Sequence, residues 1–263
     1  MFHELMDVWQ KATDNWSELC VAMGCTRVRV PGALVHTYPI SRSGSFYNSA
    51  FVQNPESFVM KEVEKVYAER KLPFAIILPR LKSYEKLCDS LEEHDYSLSP
   101  PWMLMALKEL TGNRNPEIGV EEIDRSNLGD WVELQDAFPQ VESSKSTRLE
   151  MIGKVSREKS AQLLMASLQG RSVGAGLLFM KDQVASIHMI ATLPEARRRH
   201  VATTVTLEAI HRAKKEKPEL VWLRTRRGGT GEKVYTKIGF KILSDILSYT
   251  KTPQNEDSNL PPK

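Results

Sequence analysis

The sequence is short of cysteine, of net charge and of long apolar runs. Its 263 residues include three cysteines, Cys20, Cys25 and Cys88. They make no CxxC pair and no Cys/His cluster at zinc spacing, which excludes a disulfide framework and a zinc ribbon. So sparse a set suits free thiols in a reducing cytoplasm, and no metal is expected. Lys and Arg number 36 against 33 Asp and Glu, a net charge of +3. That excludes a chain whose whole surface is basic, so no nucleic-acid partner is expected and any anion site must be local. No uninterrupted apolar run reaches the roughly 18 residues of a spanning helix, so no membrane partner is expected. The first residues, Met1 to Glu4, lack the basic start of a secretory signal. The expected location is cytoplasmic, as a monomer or homodimer.

What is present is ordinary globular material, 41% hydrophobic and 26% charged. The length allows one large domain or two modest ones. Phe2, Leu5, Met6, Trp9, Trp16, Leu19 and Met23 recur at three- and four-residue steps, which predicts an amphipathic helix stopped by Gly24. Strands are predicted at Arg27–Val30, Ala33–Tyr38 and Phe46–Val52, then a helix from Pro55 to Glu69. A buried strand at Phe74–Leu78, a helix at Ser83–Glu93 and a strand at Trp102–Leu107 complete the first set. Thr111–Pro116 is polar, holds Gly and Pro, and reads as a linker. The division follows as residues 1–112, residues 113–251, and a polar, proline-rich tail at 252–263 expected to be disordered.

The second set begins with a strand near Ile118–Ile123, followed by a helix carrying Leu128, Trp131, Leu134 and Phe138, capped by Asp124 or Ser126. A further helix ends near Glu158. Three strands follow at Ala161–Leu168, Ser172–Met180 and Val184–Ala191, joined at Gly170-Arg171 and Lys181-Asp182 as antiparallel hairpins. A helix is predicted at Val201–Lys215, a strand at Leu220–Arg224, a helix at Glu232–Ile238 and a last strand at Phe240–Tyr249. Both halves close on a short helix, an aromatic residue (Tyr96 or Phe240) and a strand. This echo points to an internal duplication, or to the common habits of α+β chains.

Chemistry concentrates where the third of these strands enters Thr192-Leu193-Pro194-Glu195-Ala196-Arg197-Arg198-Arg199-His200 and then opens a helix at Val201-Ala202-Thr203-Thr204. Unpaired N–H groups and the dipole at a helix start attract anions, and arginines collect phosphate oxygens. The stretch reads as a phosphate- or diphosphate-binding turn, with a solvated basic loop as the alternative. A second basic stretch, Arg224, Arg226 and Arg227 beside Gly228, Gly229 and Gly231, reads as a solvated loop or as a lining for a bound group. It lacks the Lys-Ser/Thr ending of a nucleotide P-loop. His188 shares a strand face with Ser186 and Ile190 by alternation, and imidazole titrates near neutrality, which makes it a candidate general base.

The segment from Arg197 to Ala202 resembles the (Gln/Arg)-x-x-Gly-x-(Gly/Ala) motif of the GNAT acyltransferase superfamily, with Arg197 at its first position and Ala202 at its last. His200 stands where that family carries its first glycine. Tyr235-Thr236-Lys237-Ile238-Gly239-Phe240 resembles the family's Tyr-x-x-x-Gly-Phe ending. The resemblance covers roughly residues 115–251. It implies an α+β fold with a mixed, mostly antiparallel central sheet flanked by helices, preceded here by a second α/β domain, itself GNAT-like and degenerate. It implies acetyl transfer from acetyl-CoA, as co-substrate, to an amine. The backbone of Ile190, Ala191 and Thr192 would hold the pantetheine arm. Arg197, Arg198, Arg199, His200, Val201, Ala202, Thr203 and Thr204 would hold the pyrophosphate. Tyr235 would protonate the departing thiolate. A non-catalytic acyl-CoA-sensing or partner-binding module is the alternative, and the acceptor amine stays open. The first half has no counterpart of the arginine loop.

Overall fold

A computed structural model describes residues 2–38, 47–137 and 144–251. The tail at 252–263 and Phe138 lie outside the described residues. The first half begins with helix α1 (Phe2–Ala22), then β1 (Thr26–Val30), β2 (Ala33–Thr37) and β3 (Ser49–Val52). Helix α2 (Met60–Ala68), β4 (Ala75–Pro79), a 3-10 turn at Lys82–Tyr84, α3 (Glu85–Glu93), β5 (Tyr96–Leu98) and β6 (Trp102–Leu107) follow. The second half comprises β7 (Ile118–Glu122), α4 (Leu128–Leu134), α5 (Lys145–Val155), β8 (Ala161–Leu168), β9 (Arg171–Lys181) and β10 (Val184–Thr192). It ends with α6 (Val201–Lys215), β11 (Leu220–Arg226), α7 (Thr230–Ile238) and β12 (Phe240–Lys251).

Several of these elements follow directly from local chemistry. The β8–β9 turn puts Gln169 and Gly170 at positive φ, and the β9–β10 turn does the same with Asp182 and Gln183. Two central residues at positive φ match the right-handed twist of paired strands, so both hairpins close tightly. Asp124 accepts a hydrogen bond from the Ser126 N–H and starts the turn leading into α4. Other elements differ from expectation. The helix predicted from Pro55 starts only at Met60. Before it, the Gly32 carbonyl accepts from the N–H groups of Gln53 and Asn54, and Asn54 Oδ1 accepts from the Glu56 N–H. Those bonds hold the segment as a turn. Tyr96–Leu98, not among the predicted strands, is a short strand because it pairs with the far end of β12.

Among the described residues, the twelve strands form one sheet in the order β1-β2-β3-β4-β12-β6-β11-β10-β9-β8-β7, with β5 beside β12. Each half repeats one plan. An antiparallel meander of three strands (β1–β3, then β8–β10) is followed by a helix that crosses to a parallel fourth strand. A second helix and a last strand complete each unit. The last strands are exchanged. β12, from the second half, lies against β4 of the first. β6, from the first half, lies against β11 of the second. The two exchanged strands pair with each other at the centre. Chain order divides the halves between β6 and β7, but neither half completes its sheet without a strand of the other.

Gly239 makes the exchange geometrically feasible. It ends α7 at φ 109°, and a Cβ there would lie 1.6 Å from the Glu109 carbonyl oxygen just beyond β6. A side chain would both strain the backbone and push the two strands apart.

Helix α1 spans the join on one face of the sheet. Its Trp9 and Trp16 enter a core with Trp131, Trp222 and Phe179. Buried Asn15 donates to the Val184 carbonyl at 3.0 Å and accepts from the Trp222 indole at 3.3 Å. A helix of the first half is thus fastened to β10 and β11 of the second. The opposite face of the second half is covered by α6 and α7, through Val205, Ile210, Tyr235 and Ile238.

Candidate functional site

The site follows from an interrupted strand pair. β10 and β11 run parallel only from Val184↔Leu220 to Ile187↔Leu223. Both strands continue, to Thr192 and Arg226, without pairing to each other. β10 is displaced by a bulge between His188 and Ala191, where Met189 takes φ 54°. Bulges bend and twist the strand that carries them. Beyond the bulge β10 returns to register with β9, at Ala191↔Ala175, rather than with β11. A slot between β10 and β11 therefore opens beside residues 188–192.

Two polar atoms of β10 are enclosed there without a hydrogen-bond partner, His188 Nε2 and Thr192 Oγ1. Buried polar groups are normally satisfied, so unsatisfied ones in a slot suit an incoming ligand. The His188 ring meets Trp222 edge-on at 5.6 Å. Burial, then the Arg224 charge, pushes its pKa down to about 3, so it is neutral near pH 7.

After Thr192 a 3-10 turn at Pro194–Ala196 leads into the arginine loop. Arg197, Arg198, Arg199 and His200 are exposed, while Ala196 before them and Val201 after them are buried. The loop thus projects between two apolar anchors. Arg198 and His200 both adopt φ 64°, so the chain turns sharply before α6. His200 occupies the left-handed region where the sequence motif would carry glycine, and histidine is among the side chains that tolerate it best. The loop keeps its turn despite the substitution. Helix α6 then presents the N–H groups of its first turn, which no intrahelical carbonyl can reach. Gly176 lets α6 lie against the sheet: a Cβ there would come within 2.6 Å of Ile190 Cδ1 and 2.7 Å of Val205 Cγ1.

A feature that motif reading misses is Asn115, in the segment joining the halves. Its Nδ2 donates to the Arg199 carbonyl at 3.1 Å, and its backbone N–H donates to Thr204 Oγ1 at 3.1 Å. Thr204 Oγ1 in turn donates to the His200 carbonyl. The joining segment therefore holds the loop in shape.

Tyr235 lies on α7, on the α6 side of the sheet, whereas His188 shares the opposite face with Trp222. Its ring is packed edge-on against Phe240 at 6.1 Å, and burial pushes its hydroxyl well above the usual tyrosine range. It is a neutral phenol across the physiological pH range.

The basic stretch expected just after the strand at Leu220–Arg224 begins inside it. β11 runs on to Arg226 because it pairs with β6 as far as Trp102. Arg224 is therefore a strand residue, its guanidinium 3.7 Å from the Trp16 ring and 4.9 Å from the Trp102 ring. Arg226 lies over Trp102 at 5.2 Å, and Arg227 forms an ion pair with Asp245. Tyr47 and Phe51 enter the same core as Trp16, with Phe51 4.7 Å from that ring.

Residues 128–240 match the model of the acetyltransferase (GNAT) family. The matched stretch, from the start of α4 to the first residue of β12, is a GNAT domain. A GCN5-related N-acetyltransferase from Kribbella flavida shares the fold at a TM-score of 0.70 and 12% identity, over 95% of this chain and 96% of that one. A GCN5-related N-acetyltransferase from Sphaerobacter thermophilus aligns at 0.63 and 15% identity, over 84% of this chain and 76% of that one. A tandem GNAT protein from the clavulanic acid biosynthesis pathway aligns at 0.55 and 11% identity, covering 86% and 81%. No curated protein matches the sequence. The GNAT slot has a topological counterpart in the first half, between β3 and β4, which pair in parallel only from Ser49↔Ala75 to Phe51↔Ile77. There the Trp9 indole donates to the Val52 carbonyl at 2.8 Å. The Tyr84 hydroxyl lies 3.3 Å from the same carbonyl and 3.1 Å from that of Gln53. There the protein's own side chains take backbone acceptors at the edge of the slot, while in the second half Gln135 Nε2 donates to the Met189 carbonyl at 3.0 Å.

Proposed function

We propose that the protein is an N-acetyltransferase that moves an acetyl group from acetyl-CoA to an amine. The observation that carries this reading is the parting of β10 from β11 after Ile187↔Leu223, next to a basic loop at the start of α6. An elongated ligand with a diphosphate at one end suits that arrangement. The backbone of Ile190, Ala191 and Thr192 would hold the pantetheine arm along the unpaired edge of β10. Arg197, Arg198, Arg199 and His200, with the N–H groups of Val201, Ala202 and Thr203, would hold the pyrophosphate by helix-start electrostatics; the Thr204 N–H, expected to join them, is given instead to the His200 carbonyl.

The thioester supplies an activated acyl carbon and a thiolate leaving group. The free amine attacks that carbon, the new C–N bond forms as the C–S bond breaks, and the amine releases one proton. Tyr235, kept neutral by burial, would give its proton to the departing sulfur. His188 would take a hydrogen bond from the amine. Its low pKa suits it to orient the nucleophile, and the released proton passes to water. In the first half, Tyr84 and Trp9 occupy the corresponding position, which supports a GNAT-like repeat at 1–112 that has given up the ligand and stabilises the second unit, residues 113–251.

Thermal unfolding with acetyl-CoA, followed by turnover on an amine panel, tests the reading. Ligand at about 100 times its Kd stabilises by about 2.7 kcal/mol, or about 5 °C for a chain of this length. No shift at millimolar acetyl-CoA would sink the proposal. A shift without turnover on any amine would make the domain an acyl-CoA-binding module instead.

A further inference from the structure

We propose that Gln135 is a positioning residue for the acyl-CoA slot: its side-chain amide latches the bulge of β10 and so holds β10 and β11 apart. This rests on the acetyltransferase reading above and assigns the residue that keeps that site open. Gln135 begins the 3-10 turn that follows α4. It is buried, next to the apolar Trp131, Val132 and Leu134 of that helix. A buried amide is costly unless it is hydrogen-bonded. Its Nε2 donates to the Met189 carbonyl at 3.0 Å. The helix that leads to it is itself fastened, since the Trp131 indole donates to the Leu164 carbonyl of β8 at 3.0 Å. α4 also packs on β9, so Gln135 reaches β10 from a fixed base.

Met189 is where β10 leaves regular pairing. His188 pairs with Leu177 and Ala191 with Ala175, so Met189 and Ile190 together face Gly176 alone. Met189 takes φ 54°, a left-handed conformation uncommon for a residue with a long side chain. Such a conformation persists only where its surroundings hold it. Gly176 makes room for the bulge, because a Cβ there would lie 2.6 Å from Ile190 Cδ1. Gln135 fastens the bulge by its carbonyl. The competing arrangement is a regular β10. The parallel register that ends at Ile187↔Leu223 would then run on and set Met189 opposite Thr225. Backbone N–H and C=O groups seek partners, so the two strands would pair along the edge that the acyl-CoA arm needs. The enclosed, unpartnered His188 Nε2 and Thr192 Oγ1 lie on either side of the bulge, so the latch acts on the part of the slot whose polar groups await a ligand.

The full-length protein is titrated calorimetrically with two probes. One is acetyl-CoA; the other is adenosine 3′-phosphate 5′-diphosphate, the nucleotide end of the same molecule without its arm. Gln135→Met keeps an unbranched side chain of similar size and removes the donor. An apparent Kd rises in proportion as the open form becomes rarer, so a fall of the open fraction to about a tenth raises it about tenfold. A rise of about tenfold or more is expected for acetyl-CoA in Gln135→Met. The Kd for the nucleotide should stay within about twofold, because the arginine loop is untouched. A merely structural role, loosening the whole second half, would weaken both probes alike. Gln135→Asn keeps an amide but draws it back by one methylene, and should show the same selective loss. An unchanged Kd for acetyl-CoA in folded Gln135→Met, or an equal loss for both probes, would overturn the proposal. If Gln135→Met does not fold, Gln135→Asn is judged by the same two criteria. Failure of acetyl-CoA to bind the wild type would instead remove the acetyltransferase reading beneath it.

Discussion

Replacing Asn115 by alanine tests whether the joining segment sets the shape of the phosphate loop. The substitution removes the bond from Nδ2 to the Arg199 carbonyl and the bond from the Glu117 N–H to Oδ1, while the backbone N–H still reaches Thr204 Oγ1. Two exposed neutral hydrogen bonds are worth about 0.5–1.5 kcal/mol together, at the low end of the usual range. For a chain of this length each kcal/mol moves Tm by about 2 °C, so a fall of about 1–3 °C is expected by scanning calorimetry. The larger effect should be on ligand affinity. Arg198 and His200 hold left-handed conformations, which cost about 1 kcal/mol or more apiece for residues with a Cβ. The Asn115 contact is one of the few restraints on that turn. Released, the loop would sample relaxed conformations, and the Kd for acetyl-CoA should rise about threefold to tenfold, although Asn115 lies behind the loop backbone. Equilibrium titration of both proteins measures this. A Kd unchanged alongside the expected fall in Tm would refute the reasoning and place the loop's shape in its own backbone and in the Thr204 bond to His200.

Other outcomes follow from the same geometry. Tyr235→Phe should keep the Kd for acetyl-CoA within about twofold and lower kcat tenfold or more; an unchanged kcat would assign the proton to water. Tyr84→Phe removes the hydroxyl's contacts with the Val52 and Gln53 carbonyls and should cost about 1–2 kcal/mol. Calorimetric titration should still find one acetyl-CoA per chain, since Trp9 remains in place, and two would reverse the assignment of the first half. Acid should destabilise the fold. Burial, then Arg27, lowers His36 to about 4, and burial, then Arg224, lowers His188 to about 3. The unfolded chain takes up these protons near pH 6.5 and the folded one does not, so stability present above pH 6.5 is lost as pH falls toward 4. Melting temperatures across that interval should fall, less steeply in His36→Gln, and a flat profile would show that both rings are solvated.

Local periodicity carried most of the second half. The helix expected at Val201–Lys215 appears with those bounds, and the hairpins at Gly170 and Asp182 appear at the turns that marked them. These elements are set by residues a few positions apart, through side-chain spacing and turn conformation. The arginine loop was legible for the same reason, as a short stretch between a strand and a helix. The bulge at His188–Ala191 was not, because alternation continues smoothly through it in the sequence. Arg226 was misplaced as a loop residue because the length of β11 depends on β6, more than a hundred residues earlier. The exchange of β6 and β12, the fastening of α1 across the join by Asn15, and the occupation of the first slot by Trp9 and Tyr84 depend on partners equally remote. The sequence by itself determined the elements, the hairpin turns and the basic loop. Only the tertiary structure decided which strands part to border a slot and which of the two slots Trp9 and Tyr84 fill, because those are outcomes of long-range pairing and burial that no local pattern encodes.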